Sequence, residues 1–206
     1  MLQALVISNN IFGIEGYYQS NTVIQYHFYK VTKNFQPNLQ AYDVLVVPNG
    51  CDNVAMLTIK DDVQTFLNSG KALICCDGWF TNWVPGNQWR MDISKKTIDV
   101  RYFVKDDPYQ LFNDLDVNEF IFSNGMSGYW ACGYIDAAAG AHVVLEDTWQ
   151  RPIIVVDDVT TNGIMFLTAS GPLGDINKPY NECNSIDKLY KNFINKLTTI
   201  KNLQHA

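Results

Sequence analysis

The chain is poor in the groups that most often carry chemistry or charge-driven binding. It has three histidines in 206 residues, His27, His142 and His205, and they are far apart. Its five cysteines show no CxxC spacing and no neighbouring histidine set. Cys75 and Cys76 point to opposite faces of any strand that holds them, so one ion does not easily take both, and no metal site is expected. Basic residues are outnumbered, 15 Lys and Arg against 21 Asp and Glu, for a formal net charge of -6. Such a chain attracts phosphate backbones weakly, which argues against nucleic acid as a partner. No GxGxxG or Walker pattern is present, so there is no glycine-rich phosphate loop and no cofactor is expected. No apolar run approaches the roughly 20 residues of a membrane span. The opening MLQALVISNN has no basic n-region and reads as a strand rather than a signal peptide. An odd cysteine count without a secretion signal reads as reduced thiols in a cytoplasm.

What is present is a globular composition, 47% hydrophobic and 17% charged, with length enough for one domain and a sizeable core. There is no repeat, linker or low-complexity segment, so residues 1–206 form a single domain. Leu2–Ile7 reads as a buried strand. Asn21–Lys33 carries Val23, Ile24, His27, Phe28 and Val31 at helical spacing and predicts a helix, with His27 beside its apolar stripe. Tyr42–Val47 is the next strand, its run Val44–Val47 marking burial on both faces. Pro48-Asn49-Gly50 is a turn. Thr58 and Asp61 fit a capping box for a helix that buries Val63, Phe66 and Leu67 and stops at Gly70. Ala72–Cys76 is a third buried strand. The spacing predicts a right-handed βαβ unit and an open, mostly parallel α/β sheet with helices on both faces.

From Arg90 the pattern turns β-rich. Lys95–Val104 alternates loosely as a strand, and Asp106–Leu115 reads as a short helix with Pro108 in its first turn. Glu119–Phe122, Tyr134–Ala137, His142–Glu146 and Pro152–Val156 read as short strands, an antiparallel extension or the far half of the sheet. Gly163–Ala169 returns to the central sheet. Ser185–Ile200 is an amphipathic helix with Ile186, Leu189, Tyr190, Phe193, Ile194 and Leu197 on one stripe.

Ligands of open α/β sheets bind beyond the carboxyl ends of the strands. Ser8–Gly13, Pro48–Asp52, Cys76–Trp89 and Ser170–Asp175 should meet there. Cys76-Asp77-Gly78 fits the second half of a nucleophile elbow, in which a glycine two residues after the nucleophile makes room for a strained turn. Ile74 stands where the strict pattern has a small residue. The N–H of Asp77 with one from Asn49-Gly50 would form an oxyanion hole. Asp77 fits either a pocket floor or the cap of the next helical turn. Trp79, Phe80, Trp83 and Trp89 fall within eleven residues, and Trp130 lies in a second glycine-flanked loop. Flat indole faces suit sugars or nucleobases; the same rings equally cover a small core or a dimer interface.

The order of strand, PNG turn, capped helix and FLNSGKALICCDG elbow resembles the class I glutamine amidotransferase-like superfamily, more closely its trehalose-utilisation-type and uncharacterised branches. The likeness covers roughly residues 1–89, and 163–175 more loosely. It implies a flavodoxin-like sheet, Cys76 at the family's nucleophile, and Asn49 and Gly50 at its oxyanion turn. Glutaminases of the family carry a His and a Glu just after a late strand. The corresponding region here, Thr168–Asp175, has neither. His142, reaching in from the second half, is the candidate base. Three readings follow: a divergent hydrolase or one whose catalysis is lost, a carbohydrate-like small-molecule binding module using Trp79, Trp83, Trp89 and Trp130, and a homo-oligomeric partner subunit.

Overall fold

The computed structural model describes residues 1–8, 13–76, 78–96, 99–122, 131–171, 173–174 and 177–204, with residues 202–204 as backbone only. Its centre is an eight-stranded mixed sheet. In chain order the strands are β1 (Leu2–Ser8), β2 (Ile24–Lys30), β3 (Val44–Val47) and β4 (Ala72–Cys76), then β5 (Gln88–Met91) and β6 (Tyr102–Val104), and finally β7 (Gly133–Asp136), β8 (His142–Asp147), β9 (Pro152–Asp157) and β10 (Ile164–Thr168). The large sheet runs β2-β1-β3-β4-β10-β9-β8-β6, and β5 and β7 pair as a separate antiparallel ribbon. The five strands from β2 to β10 are parallel, and β9, β8 and β6 each run antiparallel to the preceding neighbour. Of the β-rich second half, β6, β8 and β9 thus extend the same sheet with antiparallel strands, while β7 pairs in the separate ribbon.

The parallel half forms where the sequence has uninterrupted apolar runs. Every residue of β3, β4 and β10 is buried, as sides covered from above and below require. Two helices, α2 (Asn53–Thr58) and α3 (Lys60–Asn68), make the crossover from β3 to β4. Gly70, at φ 83°, closes the second of them and donates to the Leu67 carbonyl, the left-handed stop that glycine permits. The long C-terminal helix α5 (Ser185–Gln204) lays Phe193 flat on Phe166 of β10, ring centroids 4.5 Å apart. Its stripe Leu189, Tyr190, Phe193, Ile194 and Leu197 is buried in the core. Burial of these five side chains is the main reason the helix forms here, each large apolar group contributing about 1.5–3 kcal/mol.

Four expectations are corrected. Residues 21–33 hold the edge strand β2, not a helix. All seven residues of the strand pair with Leu2–Ser8, and burial alternates, with Ile24 and Tyr26 inward. The segment is rich in β-branched and aromatic residues, and that period of two outweighs the looser helical spacing. The helix cap lies at Asp52, whose Oδ1 accepts from the N–H groups of Val54 and Ala55, at 3.0 and 2.9 Å. Thr58 instead ends α2 and returns its hydroxyl to the Ala55 carbonyl, so no capping box forms. Residues 106–115 are a chain of turns, because Gln110 and Asp114 sit at φ 57° and 61°, where a right-handed helix cannot continue. Glu119–Phe122 is a short helix, α4, burying the consecutive pair Phe120 and Ile121; a strand would have sent one of them outward. Its Glu119 carboxylate accepts from the Ser185 N–H and hydroxyl, capping α5 across the chain. The strand expected over 95–104 shortens to β6, and residues 97–98 lie outside the described set.

Candidate functional site

Cys76 ends β4 as the elbow pattern requires, but the end of that strand is closed. Its side-chain direction follows from the register. Ile74 pairs with Phe166, which faces α5, so Cys76, two residues on, faces the same way. There it meets the tyrosines that line this face. Tyr18 lies 5.6 Å from the Tyr26 ring and 6.1 Å from that of Tyr190, and the Tyr26 hydroxyl donates to the Tyr190 hydroxyl. Tyr18 donates to the Leu173 carbonyl at 2.8 Å, fastening the segment after β10 over the sheet edge. Burial, and then the neighbouring Cys76, push the Tyr18 phenol well above its ordinary range. Cys76 is 1% exposed.

The lid over β4 comes from its two neighbours. Strands β3 and β10 flank β4. A Cβ on Gly171, just past β10, would come within 3.0 Å of the Asn49 Cβ and Cγ, just past β3. The two turns thus touch across the end of β4. Asn49 is half-buried and Gly50 exposed, the latter at φ 73°. Gly78 has φ 82°, the left-handed conformation an elbow glycine is expected to take. Asp77 lies outside the described residues, so its N–H and carboxylate have no place in this geometry.

Neither described histidine meets the thiol. His142 starts β8, three strands from β4, which at about 4.8 Å per step is about 14 Å. It is engaged where it stands. Its Nδ1 lies 2.7 Å from the Asp106 carboxylate and its Nε2 3.9 Å from that of Asp158, and Tyr109 packs edge-on against its ring. The expected Cys76–His142 pair is therefore not formed. Strands β10 and β9 stand between them. His27 sits on the far edge strand and pairs in register with Leu5, on the face opposite Cys76. It shares a 3.0 Å hydrogen bond with Gln3. His205 lies outside the described residues. Among the described residues no group of three or more His, Cys, Asp or Glu side chains could hold a metal ion, and no disulfide is present.

The tryptophans that follow the elbow are core. Trp79, Trp83 and Trp89 are 0%, 1% and 3% exposed, so none of the three offers a face to a ligand. Trp89 donates to the Ala169 carbonyl at 3.3 Å, tying the ribbon strand β5 to the end of β10. The ring left at the surface is Phe80, 57% exposed and standing edge-on to Trp89. Trp130 lies outside the described residues. The loop is stapled by a residue that sequence reading passed over, Asn53. Its Nδ2 donates to the Gly78 carbonyl at 2.9 Å, its Oδ1 accepts from the Phe80 N–H at 2.7 Å, and its carbonyl accepts from Thr81. An amide directly after a capping Asp was the available signal.

The open space lies elsewhere on the carboxyl edge. A groove of about 730 Å³ runs between residues 31–36, which follow β2, and the start of α2, which follows β3. Strand β1 lies between β2 and β3, and the strand order reverses direction there. Open α/β sheets place their ligand crevice at such a point.

No protein-family model matches the chain, and no curated protein matches it. Solved structures do. A cytoplasmic protein from Salmonella typhimurium LT2 superposes with a TM-score of 0.56 at 10% identity, covering 98% of this chain and 99% of that one. A β-galactosidase from Bacillus circulans sp. alkalophilus superposes with a TM-score of 0.54 at 14% identity. The match covers 97% of this chain but 31% of the β-galactosidase chain. At these identities the likeness is one of fold, a mixed α/β domain. No helix among the described residues is long and apolar enough to cross a membrane.

Proposed function

We propose that this chain is a glutamine amidotransferase-like domain in which the elbow cysteine performs no catalysis and whose role is to bind. The strand order β2-β1-β3-β4-β10 in the parallel half supports a flavodoxin-like arrangement, which is the doubly-wound order with its switch point at β1 and β3. The observation that carries the reading is the sealed thiol. Nucleophilic cysteines need a base or a positive partner and access for substrate. Cys76 is 1% exposed, Tyr18 lies near it, and both described histidines are held by other strands. A residence in the cytoplasm, an absence of affinity for nucleic acid and a small-molecule ligand belong to the same proposal. The net charge of -6 supports the second of these.

The test is a hydrolysis assay with glutamine and with an activated ester, comparing the native chain with Cys76→Ala. The reading expects no ammonia from glutamine and identical, background ester turnover for both. Turnover by the native chain that disappears in the variant would reject it.

A further inference from the structure

We propose that Lys71 is a site of acylation, an amine that takes an activated acyl group from an acyl phosphate or an acyl thioester. It lies at the amino ends of the parallel strands, the sheet edge opposite Cys76, and is independent of the reading of that thiol. A cleft of about 250 Å³ opens there. Its walls are Leu2, Val44, Ala72 and Ile164, the first residues of β1, β3, β4 and β10, with Leu197 of α5. The charged groups that line it are Asp43, Lys71 and Lys201.

Two ammonium groups share one carboxylate here, and that carboxylate is committed away from Lys71. Asp43 Oδ2 accepts from Lys201 Nζ at 2.7 Å and from the Gln3 N–H at 2.8 Å. Lys71 Nζ donates instead to neutral oxygens, the Gln40 carbonyl at 2.6 Å and Gln40 Oε1 at 3.3 Å, and stands 5.3 Å from the centre of the Phe66 ring. It therefore holds its charge beside apolar walls and a second cation. Those are the two conditions that make a lysine amine nucleophilic. Burial lowers the Lys71 amine from the ordinary lysine range; Asp43 opposes the shift and Lys201 adds to it. The side chain is half-buried, so a reagent reaches it.

The step balances without an oxidant. One proton leaves Lys71 for solvent, and the bared lone pair attacks the acyl carbon. The N–C bond forms, and the bond from that carbon to the phosphate oxygen or thioester sulfur breaks, the leaving group taking the electron pair. A second amine proton goes to solvent. The product amide is neutral, which removes the charge beside Lys201, and it keeps one N–H for the Gln40 carbonyl.

The experiment treats the full chain with acetyl phosphate and, separately, with acetyl-coenzyme A between about pH 7 and 10. Acetyl-lysines are mapped and timed by mass spectrometry. Lys71 should acetylate at least about fivefold faster than the exposed Lys60 near pH 8, with a rate midpoint below the roughly 10.4 of an ordinary lysine. The advantage should vanish in denaturant. Lys201→Met removes the second cation, keeps an apolar stem and releases Asp43, so it should slow Lys71 about threefold. Asp43→Asn keeps an acceptor for the Gln3 N–H but removes the opposing charge, and should quicken it. Transfer from one donor only upholds the site and identifies its source. Three results would overturn the proposal: Lys71 no faster than Lys60 with either donor, an advantage that persists in denaturant, or a Lys71 rate unchanged in both variants. The comparison of native with denatured chain decides the matter even where a variant does not fold.

Discussion

Two places on one sheet edge are built from similar parts and end up opposite in character. Over β4, an elbow-like turn, a thiol and a run of tryptophans are packed shut. The turns after β3 and β10 touch, Tyr18 pins the following segment, and Trp79, Trp83 and Trp89 are inside. Between residues 31–36 and α2, a stretch with no motif leaves a groove of about 730 Å³ with an apolar floor and a polar rim. The difference shows that residue types with a reputation for chemistry do not by themselves mark a site. A sealed cysteine and an indole without exposure are packing groups, and burial is what separates the two roles.

The sharpest way to break this contrast is to truncate an indole. Trp79→Ala should cost about 3–5 kcal/mol of stability in a denaturant titration, because the ring is fully buried in the core. Phe80→Ala, one residue away and 57% exposed, should stay within about 0.5 kcal/mol. If Trp79→Ala were as mild as Phe80→Ala, the sealed half of the comparison would fail. A smaller effect is expected at the edge of the open half. Asp52→Ala removes the α2 cap and should cost about 1 kcal/mol, whereas Asp52→Asn keeps a cap and should cost a few tenths. Equal losses in the two variants would mean that the carboxylate charge, not the cap, matters to folding.

The least effect belongs to the distal half of the sheet. Hydrogen bonds from Ser94, and then the Arg151 guanidinium, hold the Asp92 carboxyl down to about 2 from its usual 3.8. A carboxyl depressed in the folded state contributes stability that is present above 3.8 and is lost as pH falls through about 2. Asp92→Asn should therefore flatten the acid limb of the stability curve in that window and leave the neutral plateau nearly level. An acid limb that keeps its slope in the variant would assign the loss to other carboxylates.

The parallel core was legible in the chain because its runs are unambiguous. Val44–Val47 and Ala72–Cys76 can only be buried, and each is; the stripe of α5 is buried from Leu189 to Leu197, with Ile186 half-buried. The edge strand β2 was not, since Val23, Ile24, His27 and Phe28 satisfy a helical spacing as well as a strand; pairing with β1 decides the matter, and pairing is not local. The cap at Asp52 was hidden by a better-looking pattern six residues later. At the elbow, sequence placed Cys76 at the end of β4 and a glycine where the backbone turns left-handed, but could not say that Asn49 and Gly171 meet across that strand end, nor that β10 and β9 keep His142 away. The groove left no motif because its polar rim is made of ordinary loop residues, brought opposite α2 by the strand order alone.

The measurement that tests the central claim most directly is iodoacetamide labelling of the native chain across pH, with each modified cysteine mapped by mass spectrometry. Cys132 is exposed and Cys51 half-buried, while Cys75 and Cys76 are buried. The account predicts that Cys132 labels first with the pH dependence of an ordinary thiol near 8.5, and that Cys76 labels only when denaturant opens the domain. Rapid labelling of Cys76 in the native chain, with a midpoint clearly below that of Cys132, would contradict it.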